Sequence, residues 1–442
     1  MEILIKILQF VAALSLLVLV HEFGHFLFAK IFKCRVEKFY IFFNPWFTPL
    51  KFKIGETEYG IGWLPLGGYC KISGMVDESM DTDYQKEPPK PYEFRSKPAW
   101  QRLLIMIGGV LMNVLFAIVI YIGMSMHWGD SYYATEDINN AYGFAFSEFG
   151  HEIGFRDGDK IVSIDGKLPE SYRDMAMSML FDGVEYVEVA RNGETVRIPM
   201  HPQYVSTLLT EGGDFIAPLH PLVVDSLQTG KNAQLAGLMP GDRILAVNGV
   251  PVTLNNNRIS EFAGQNVLLE IARDSAGIQQ IIPKETAVSA EGTIGIYLKT
   301  NLIPVRTQTY NFFQAIPQGV KRAWSEVSNY FKQIKLIFTP QTGAYKQVGG
   351  LIAIGNAFPG HWSWYSFWTI TAMLSVMLAI VNLLPIPGLD GGHVLFVLYE
   401  MIARRKPSDQ FMEAATWVGI IFILFLLIYA NGNDIVKLFT KT

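Results

Sequence analysis

The class of the protein follows from residues 103–124, which read LLIMIGGVLMNVLFAIVIYIGM and contain no charged side chain. About twenty uncharged residues in a row are needed for a helix to cross the apolar layer of a bilayer, and this stretch meets that requirement. Residues 367–384 and 414–430 are slightly shorter stretches of the same kind, and residues 7–20, extended by 26–29 beyond a polar patch, form a fourth. Bulky aromatic residues follow the N-terminal stretch where a signal peptide would need small residues, so we expect it to be retained. The sequence therefore predicts a polytopic α-helical membrane protein with four spans, at about 3–28, 103–124, 367–385 and 412–430.

The composition of the chain excludes several classes of protein. Of its 442 residues, 50% are hydrophobic and 17% are charged, which is too apolar and too weakly charged for a disordered chain. The net charge of −4 gives no basic field of the kind that gathers phosphate backbones, so we expect no nucleic acid among the partners. The two cysteines, Cys34 and Cys70, are too few for a disulfide scaffold and lack zinc-ribbon spacing, so we interpret them as free thiols.

Charges in the short loops predict the orientation in the membrane. The loops between spans one and two and between spans three and four are rich in Lys and Arg, so both should be cytoplasmic. These residues are Lys30, Lys33, Arg35, Lys38, Lys51, Lys53, Lys71, Lys86, Lys90, Arg95, Lys97, Arg404, Arg405 and Lys406. With four spans, both termini and the segment from about 127 to 364 then lie on the opposite side.

That long segment contains an internal repeat. Residues 154–166 read GFRDGDKIVSIDG, and residues 237–249 read GLMPGDRILAVNG. A second pair, EVAR at 188–191 and EIAR at 270–273, keeps nearly the same offset, so we expect two copies of one small domain of turns and short strands. The pattern resembles PDZ domains, which bind an extended peptide at a sheet edge, so peptide ligands or a gating role are expected. A generic β-rich domain is the alternative.

Apolar residues recur at steps of three or four between Phe313 and Phe338, which is typical of an amphipathic helix, or of two helices broken near Pro317. Such a helix could rest on the outer membrane surface or act as a lid over the membrane domain. Alternatively, it only packs on the second repeat.

The chemistry is indicated at the end of span one, where residues 21–25 read HEFGH. On a helix, His21 and His25 face the same side, so both imidazoles can reach one tetrahedral Zn²⁺ ion. Glu22 lies one step round and can act on a water without being a ligand. Such polar residues beside an apolar span are costly unless they bind metal or are buried in protein, and a buried cluster without metal is the alternative.

A third ligand should come from elsewhere in the chain. Glu37 lies at the spacing common in soluble proteins, but its basic, aromatic-rich surroundings show no helical periodicity. Asp390 is the better candidate, because spans one and three run in the same direction and end at similar depth. It lies in residues 382–393, NLLPIPGLDGGH, whose prolines break the helix where backbone must line a cavity. His393 could compete as a ligand, but we interpret it as a supporting or helix-start residue.

These motifs, the four spans and the tandem repeats resemble the site-2 protease family of intramembrane zinc metalloproteases. The resemblance implies one zinc ion per chain, bound by His21, His25 and Asp390. It also implies that Glu22 is the general base and that Asn382 helps to hold the substrate. The expected substrates are single-span membrane proteins already shortened outside by another protease, such as an anti-sigma factor of a stress response or signal-peptide remnants. The expected location is the bacterial inner membrane, with the PDZ-like domains and both termini periplasmic and the active site near the cytoplasmic face.

The resemblance further implies that residues 65–69 belong to a β-hairpin that dips into the membrane and offers an edge strand to the substrate. Residues 58–69 read EYGIGWLPLGGY, and Gly67 and Gly68 suit close backbone approach. An unwound substrate helix needs such hydrogen-bond partners. An interfacial anchor rich in aromatics is the alternative. In span two, the Asn113 amide can reach across to the substrate or serve only as structural glue between helices.

Two departures from the family pattern concern local backbone shape. Many relatives carry Gly-Pro-x-x-Asn in span two, whereas Val110 follows Gly109 here, so a kink at that point is not expected. Residues 40–45, YIFFNP, replace a Gly-x-Gly segment, so the loop there should differ.

The sequence thus predicts a membrane domain in two halves, 1–126 and 346–442, with a membrane-associated hairpin at about 50–75. Two extracytoplasmic PDZ-like domains, 127–218 and 219–305, and a helical connector, 306–345, lie between them. A rival hypothesis is a zinc-binding PDZ scaffold without proteolytic activity, but a structural zinc site would have no use for Glu22. A transporter should repeat its membrane part, whereas this chain repeats only its soluble part.

Overall fold

The computed structural model describes residues 1–65, 67–75, 88–211, 215–254, 256–275 and 278–440. Leu66 of the predicted hairpin and Lys86 of the basic loop lie outside these ranges. The chain forms two compact units. Unit 1 comprises residues 1–129, 309–334 and 348–442, and unit 2 comprises residues 130–308 and 335–347.

The described residues form these helices and strands. The helices are α1 Glu2–Ile31, α2 Ala99–His127, α3 Thr135–Ala141, α4 Glu148–Glu152, α5 Tyr172–Phe181, α6 Val205–Glu211, α7 Asn232–Leu235, α8 Phe312–Ile337, α9 Leu351–Ala357, α10 Trp364–Leu383, α11 Asp390–Ala403 and α12 Asp409–Thr440. The strands are β1 Val36–Ile41, β2 Leu50–Ile54, β3 Thr57–Ile61, β4 Tyr69–Ile72, β5 Asp130–Tyr132, β6 Phe144–Phe146, β7 Lys160–Ile164, β8 Tyr186–Arg191, β9 Glu194–Pro199, β10 Ile216–Pro218, β11 Leu222–Leu227, β12 Arg243–Val247, β13 Val250–Pro251, β14 Asn266–Ser275, β15 Ile278–Ala287, β16 Ile296–Leu298 and β17 Arg306–Gln308.

Four helices among the described residues are long and apolar enough to cross a membrane: α1, α2, α10 and the Gln410–Lys437 part of α12. They coincide with the four predicted spans. Helices α1 and α2 approach closely because glycines meet at their contact. A Cβ atom added to Gly24 would lie 2.2 Å from the carbonyl oxygen of Gly108, so any larger residue there would push the two helices apart. Helix α2 also packs against α10 and α11, which places it at the centre of unit 1.

Helix α8 packs on the spans of unit 1 through small residues. Ala323 belongs to an apolar cluster with residues of α2 and α10, and a Cβ at Gly319 would lie 2.5 Å from a side chain of α2. The helix runs continuously through Pro317, so the alternative of two helices was wrong. Phe313 and Trp324, part of the predicted apolar face, are 81% and 72% exposed. The face that meets the bundle therefore combines these small residues with Val327 and Ile334 of the predicted apolar face.

A four-stranded sheet in unit 1 has the order β2-β3-β1-β4. Strands β2 and β3 form a hairpin around the turn at Gly55, whose φ of +60° favours glycine. Strand β1 pairs in parallel with β3 and antiparallel with β4, so β3 and β4 flank β1 and do not pair with each other. The segment expected as one hairpin is thus a mixed sheet, in which β4 forms one edge. Val36 of β1 belongs to one apolar cluster with Ala29 of α1 and Ile105 of α2, which anchors the sheet to the spans.

Unit 2 shows the predicted repeat in matching contacts. Arg191 bonds the buried Asp159 carboxylate through Nη2 at 2.6 Å, and Arg273 bonds the buried Asp242 carboxylate in the same way at 2.7 Å. Strands β7, β8 and β9 form the sheet of the first copy, and β11, β12 and β14 to β16 form that of the second, with β13 beside β12. Each copy has its own apolar core. The two copies therefore share local structure as well as sequence.

Candidate metal centre and active site

Two histidines and one aspartate lie close together in the interior of unit 1. His21 and His25 lie one turn apart on α1, each 7% exposed, with their Nε2 atoms 3.3 Å apart. Asp390, the first residue of α11, places Oδ2 3.0 Å from Nε2 of His21 and 3.4 Å from Nε2 of His25. The three atoms form a nearly regular triangle.

This triangle fits a zinc ion. Ligand atoms about 2.0–2.1 Å from a tetrahedral ion are about 3.3 Å from one another, which matches the observed separations. Two imidazoles and one carboxylate are also the donor set of an open site, which leaves a fourth position for water or substrate. The residues present therefore fit the group that the sequence predicts.

A break between α10 and α11 brings Asp390 to α1. Pro385 and Pro387 cannot continue the helix, and Gly388 adopts a φ of +102°, which L side chains rarely adopt. The chain turns there, and α11 then begins at Asp390. A Cβ at Gly419 of α12 would lie only 1.4 Å from the carbonyl oxygen of Pro387, so α12 supports the turn by backbone contact.

The other two candidates for the third ligand lie apart from the triangle. Glu37 on β1 accepts a hydrogen bond from the Ser73 hydroxyl at 2.8 Å and lies 3.9 Å from the Lys71 ammonium. Its carboxylate therefore links β1 to the neighbouring segment of the sheet. His393 lines the same cavity as Asp390, one turn further along α11, but does not join the cluster of potential ligands.

Helix α2 contributes no ligand, yet one of its faces contacts both histidines. The carbonyl oxygen of Ile105 lies 2.9 Å from Nδ1 of His25, and Nδ2 of Asn113 lies 3.2 Å from Nδ1 of His21. Between them, a Cβ added to Gly109 would lie 2.5 Å from Nε2 of His25 and 2.6 Å from Cε1 of His21. Residues 105, 109 and 113 are spaced by four and share one helix face. The Ile105 contact could not be predicted from the sequence, because every residue carries a backbone carbonyl.

A cavity of about 560 Å³ opens beside the triangle. It is lined by His21, Glu22, His25, Asn44, Gly67, Gly68, Tyr69, Asn382, Asp390 and His393, among others. The Glu22 carboxylate accepts a hydrogen bond from the backbone N–H of Cys70 in β4. A Cβ at Gly68 would lie 2.6 Å from Val18 and 3.2 Å from Cγ of Glu22, so only glycine lets the edge of the sheet come this close. The predicted base, the edge strand and the triangle therefore share one cavity.

Asn382 lies at the triangle itself, because its Nδ2 is 3.2 Å from Nε2 of His21. The family resemblance implies that it helps to hold the substrate, and it lines the cavity. Asn113 is different, since its side chain is fully buried and is not part of the cavity wall.

Comparison with known proteins identifies the family. The model of Peptidase family M50, the site-2 protease family, matches residues 9–426. The chain belongs to this family. It is therefore a metalloprotease, and its metal is zinc.

Relatives of similar length support the same family. The chain is 28% identical to "Protease RseP" of Yersinia pestis and to "Regulator of sigma-E protease RseP" of Salmonella typhimurium, with 99% of this chain and 100% of each relative covered. It is also 28% identical to a protein of Borreliella burgdorferi whose name contains the words zinc metalloprotease, over 97% of this chain and 98% of the relative. Proteins named RseP are thus among its relatives, in agreement with the resemblance of its motifs.

The two departures from the M50 pattern are visible in the structure. Helix α2 is continuous through Val110, as expected without a proline. In the segment that replaces Gly-x-Gly, Asn44 lines the cavity and accepts a hydrogen bond from the Tyr69 hydroxyl at 3.0 Å. Tyr40 of the same segment stacks on Tyr69, and burial and the hydrogen bond that it donates to Glu58 raise its pKa to about 12. Residues 40–45 thus connect the sheet to the cavity wall through the contacts of Tyr40 and Asn44 with Tyr69.

Proposed function

We propose that this M50 protease hydrolyses peptide bonds within the transmembrane segments of single-span membrane proteins. The observation that carries the proposal is the cavity in which the triangle of His21, His25 and Asp390 lies beside Glu22 and the sheet edge β4. We assign those three residues as zinc ligands and Glu22 as the general base. Helices α1 and α10 both end near this cavity, so a membrane-embedded substrate could reach it.

The chemistry follows from the donor set and from Glu22. A zinc ion bound there would act as a Lewis acid that polarises the scissile carbonyl and lowers the pKa of the attacking water. Glu22 would accept the proton of that water and return it to the leaving amine. The hydrogen bond from the Cys70 amide holds the Glu22 carboxylate at the cavity wall, where this proton transfer takes place.

The substrate would bind as an extended strand along β4. Among the described strands, β4 lies at one edge of the sheet beside β1, which supports its assignment as the strand that an unwound substrate would extend. Gly67 and Gly68 precede β4 and keep the approach free of side chains, while the Asn382 amide would hold a substrate carbonyl or amide. The proposed dipping of the sheet into the membrane is supported by Trp46, which is 90% exposed and stacks on Trp63.

The proposed domain organisation follows the sequence. We assign residues 127–218 and 219–305 as periplasmic PDZ-like domains, supported by the matching Arg–Asp pairs of the two copies, and residues 306–345 as the connector. These domains would exclude substrates with bulky outer parts or bind peptide ligands. The substrate implied by the family resemblance is an anti-sigma factor after a prior extracytoplasmic cut, with signal-peptide remnants as another. The name of the Salmonella relative, "Regulator of sigma-E protease RseP", supports a link to sigma-factor regulation. The proposed location is the bacterial inner membrane, as the family resemblance implies, and the basic loops support the orientation with both termini periplasmic.

The test is the cleavage of a single-span substrate, with its outer domain removed, by purified protein in detergent. Glu22→Gln should abolish cleavage while zinc content stays at one per chain. Glu37→Gln is the matched control, because this glutamate does not line the cavity, and it should cleave as the wild type does. Unchanged cleavage by Glu22→Gln would refute the assigned mechanism. A wild type that holds zinc but cuts no helix in a panel of such substrates would favour the scaffold hypothesis.

A further inference from the structure

We propose that Asn113 is a positioning residue for the metal centre: its amide oxygen accepts a hydrogen bond from Nδ1–H of His21 and thereby leaves the Nε2 lone pair of His21 for zinc. This inference rests on the proposed ligand set of His21, His25 and Asp390. It gives Asn113 a role toward a ligand, in place of the substrate contact that the sequence suggested.

The argument begins with the two nitrogens of His21. A neutral imidazole has one N–H and one lone pair. Nε2 faces Asp390 and His25 across the triangle, so binding a metal there requires the proton to be on Nδ1. A proton on Nδ1 needs an acceptor, and Asn113 lies within hydrogen-bond distance with its Nδ2 placed 3.2 Å from Nδ1. The proposal takes the opposite orientation of the amide, in which Oδ1 occupies that position.

The orientation of that amide decides which tautomer is stable. The two orientations of an Asn amide occupy the same space and exchange the oxygen with the nitrogen. An NH₂ group directed at Nδ1 would need the lone pair there and would place the proton on Nε2, where it blocks the metal. The oxygen directed at Nδ1 favours the metal-binding tautomer.

His25 shows the same arrangement with a partner that has no choice of orientation. Its Nδ1 lies 2.9 Å from the carbonyl oxygen of Ile105, which can only accept, so in the neutral imidazole Nε2 of His25 carries the lone pair. Such outer hydrogen bonds to ligating histidines commonly fix tautomer and ring orientation. Helix α2 would thus fix the tautomer and ring orientation of both histidines, that of His25 through its backbone and that of His21 through Asn113.

The surroundings of Asn113 favour this role over substrate binding. Its side chain is fully buried and does not line the cavity, so a substrate there would not reach it. The Ser375 hydroxyl of α10 donates to the backbone carbonyl of Asn113 at 2.8 Å, which ties α10 to α2 at this residue. Asn113 is therefore held in place on the side of His21 that faces away from the cavity.

The experiment compares Asn113→Leu with Asn113→Asp in the full-length protein in detergent. Zinc affinity is measured by competition with a chelator, and kcat and KM are measured separately at saturating zinc. Asn113→Leu removes the acceptor, so zinc binding should weaken by about 10–100-fold with KM unchanged. Asn113→Asp keeps an acceptor and should bind zinc at least as tightly as the wild type.

Three outcomes would overturn the inference. Wild-type zinc affinity in Asn113→Leu would show that His21 does not need the acceptor. A raised KM with unchanged zinc affinity would assign Asn113 to the substrate. If Asn113→Asp lost as much zinc affinity as Asn113→Leu, while its thermal midpoint showed that it remains folded, the hydrogen-bond acceptor at residue 113 would be irrelevant to zinc binding. His21→Ala, which should lose zinc in every case, separates these results from a failure of the proposed metal centre.

Discussion

Substitution of Gly109 by alanine tests whether α2 shapes the metal centre. The added Cβ would lie 2.5 Å from Nε2 of His25 and 2.6 Å from Cε1 of His21, whereas ordinary contacts begin near 3.4 Å. One or both imidazoles must therefore move by about 0.9 Å, or α1 and α2 must separate by as much. Metal sites tolerate ligand displacements of about 0.2 Å, so the triangle should no longer fit zinc.

The expected result of Gly109→Ala is a loss of zinc affinity greater than about 100-fold, because two ligands are displaced rather than one outer partner removed. Cleavage should fall in proportion to the zinc lost. Gly123→Ala is the matched control, since this glycine lies on the same helix and a Cβ there would meet no atom within 4 Å. It should bind zinc and cleave as the wild type does.

The assay is zinc per chain by elemental analysis after dialysis against graded concentrations of a chelator, together with cleavage of a single-span substrate. The thermal midpoint of each variant shows whether the protein remains folded. A folded Gly109→Ala variant with the zinc affinity of the wild type would refute the close approach of α2 to both histidines. An equal loss of zinc affinity in Gly123→Ala would show that any added methyl group on α2 weakens zinc binding, whether or not it lies against the histidines.

Three further predictions concern ion pairs and the metal. Arg102→Ala should lower the free energy of unfolding by about 3 kcal/mol, because it leaves the Glu400 carboxylate of α11, bonded at 2.5 Å, partly buried without its partner. Glu56→Gln breaks only exposed pairs and should cost less than about 1 kcal/mol, both measured by thermal unfolding followed by tryptophan fluorescence. The Arg306 guanidinium holds the pKa of the Asp137 carboxyl below its usual value of about 3.9, so this pair should stabilise unit 2 above that pH and lose its effect as the pH falls through the lowered pKa. Unfolding midpoints between pH 6 and pH 3 should fall less steeply in Asp137→Asn, and equal slopes would contradict the assignment. A strong zinc chelator should abolish cleavage and added zinc should restore it, whereas cleavage that persists without zinc would exclude a metal-dependent mechanism.

The triangle of His21, His25 and Asp390 could be predicted because each member has a local signal. His21 and His25 are spaced by one helical turn, and Asp390 follows two prolines that must end a helix. Because spans one and three cross the membrane in the same direction, the end of span one that carries the histidines and the end of span three that precedes Asp390 lie at similar depth. The sequence therefore carries enough information to bring Asp390, rather than Glu37, to the histidines.

Other features have no local signal. Strands β3 and β4 read as one hairpin because turn residues lie between them, but β1 pairs with both, and pairing over such a distance depends on the whole sheet. The apolar residues of α8 predicted an amphipathic helix, and Val327 and Ile334 among them pack against the bundle. The contacts through Ala323 and Gly319 were not predicted, because small residues that allow close helix packing do not stand out in the apolar pattern.

The role of α2 is the least visible from sequence and follows from geometry alone. Helices α1 and α2 run antiparallel, since His25 meets Ile105 and His21 meets Asn113. The two histidines span one turn of α1, while their partners span two turns of α2, so the turn between must lie directly against both rings. Only a residue without a side chain fits there, and that residue is Gly109. Gly109 and Asn113 are spaced by four residues, as are His21 and His25 opposite them, so the two pairs meet a single structural requirement. Gly109 leaves room for both imidazole rings, while Asn113 and the Ile105 carbonyl orient them.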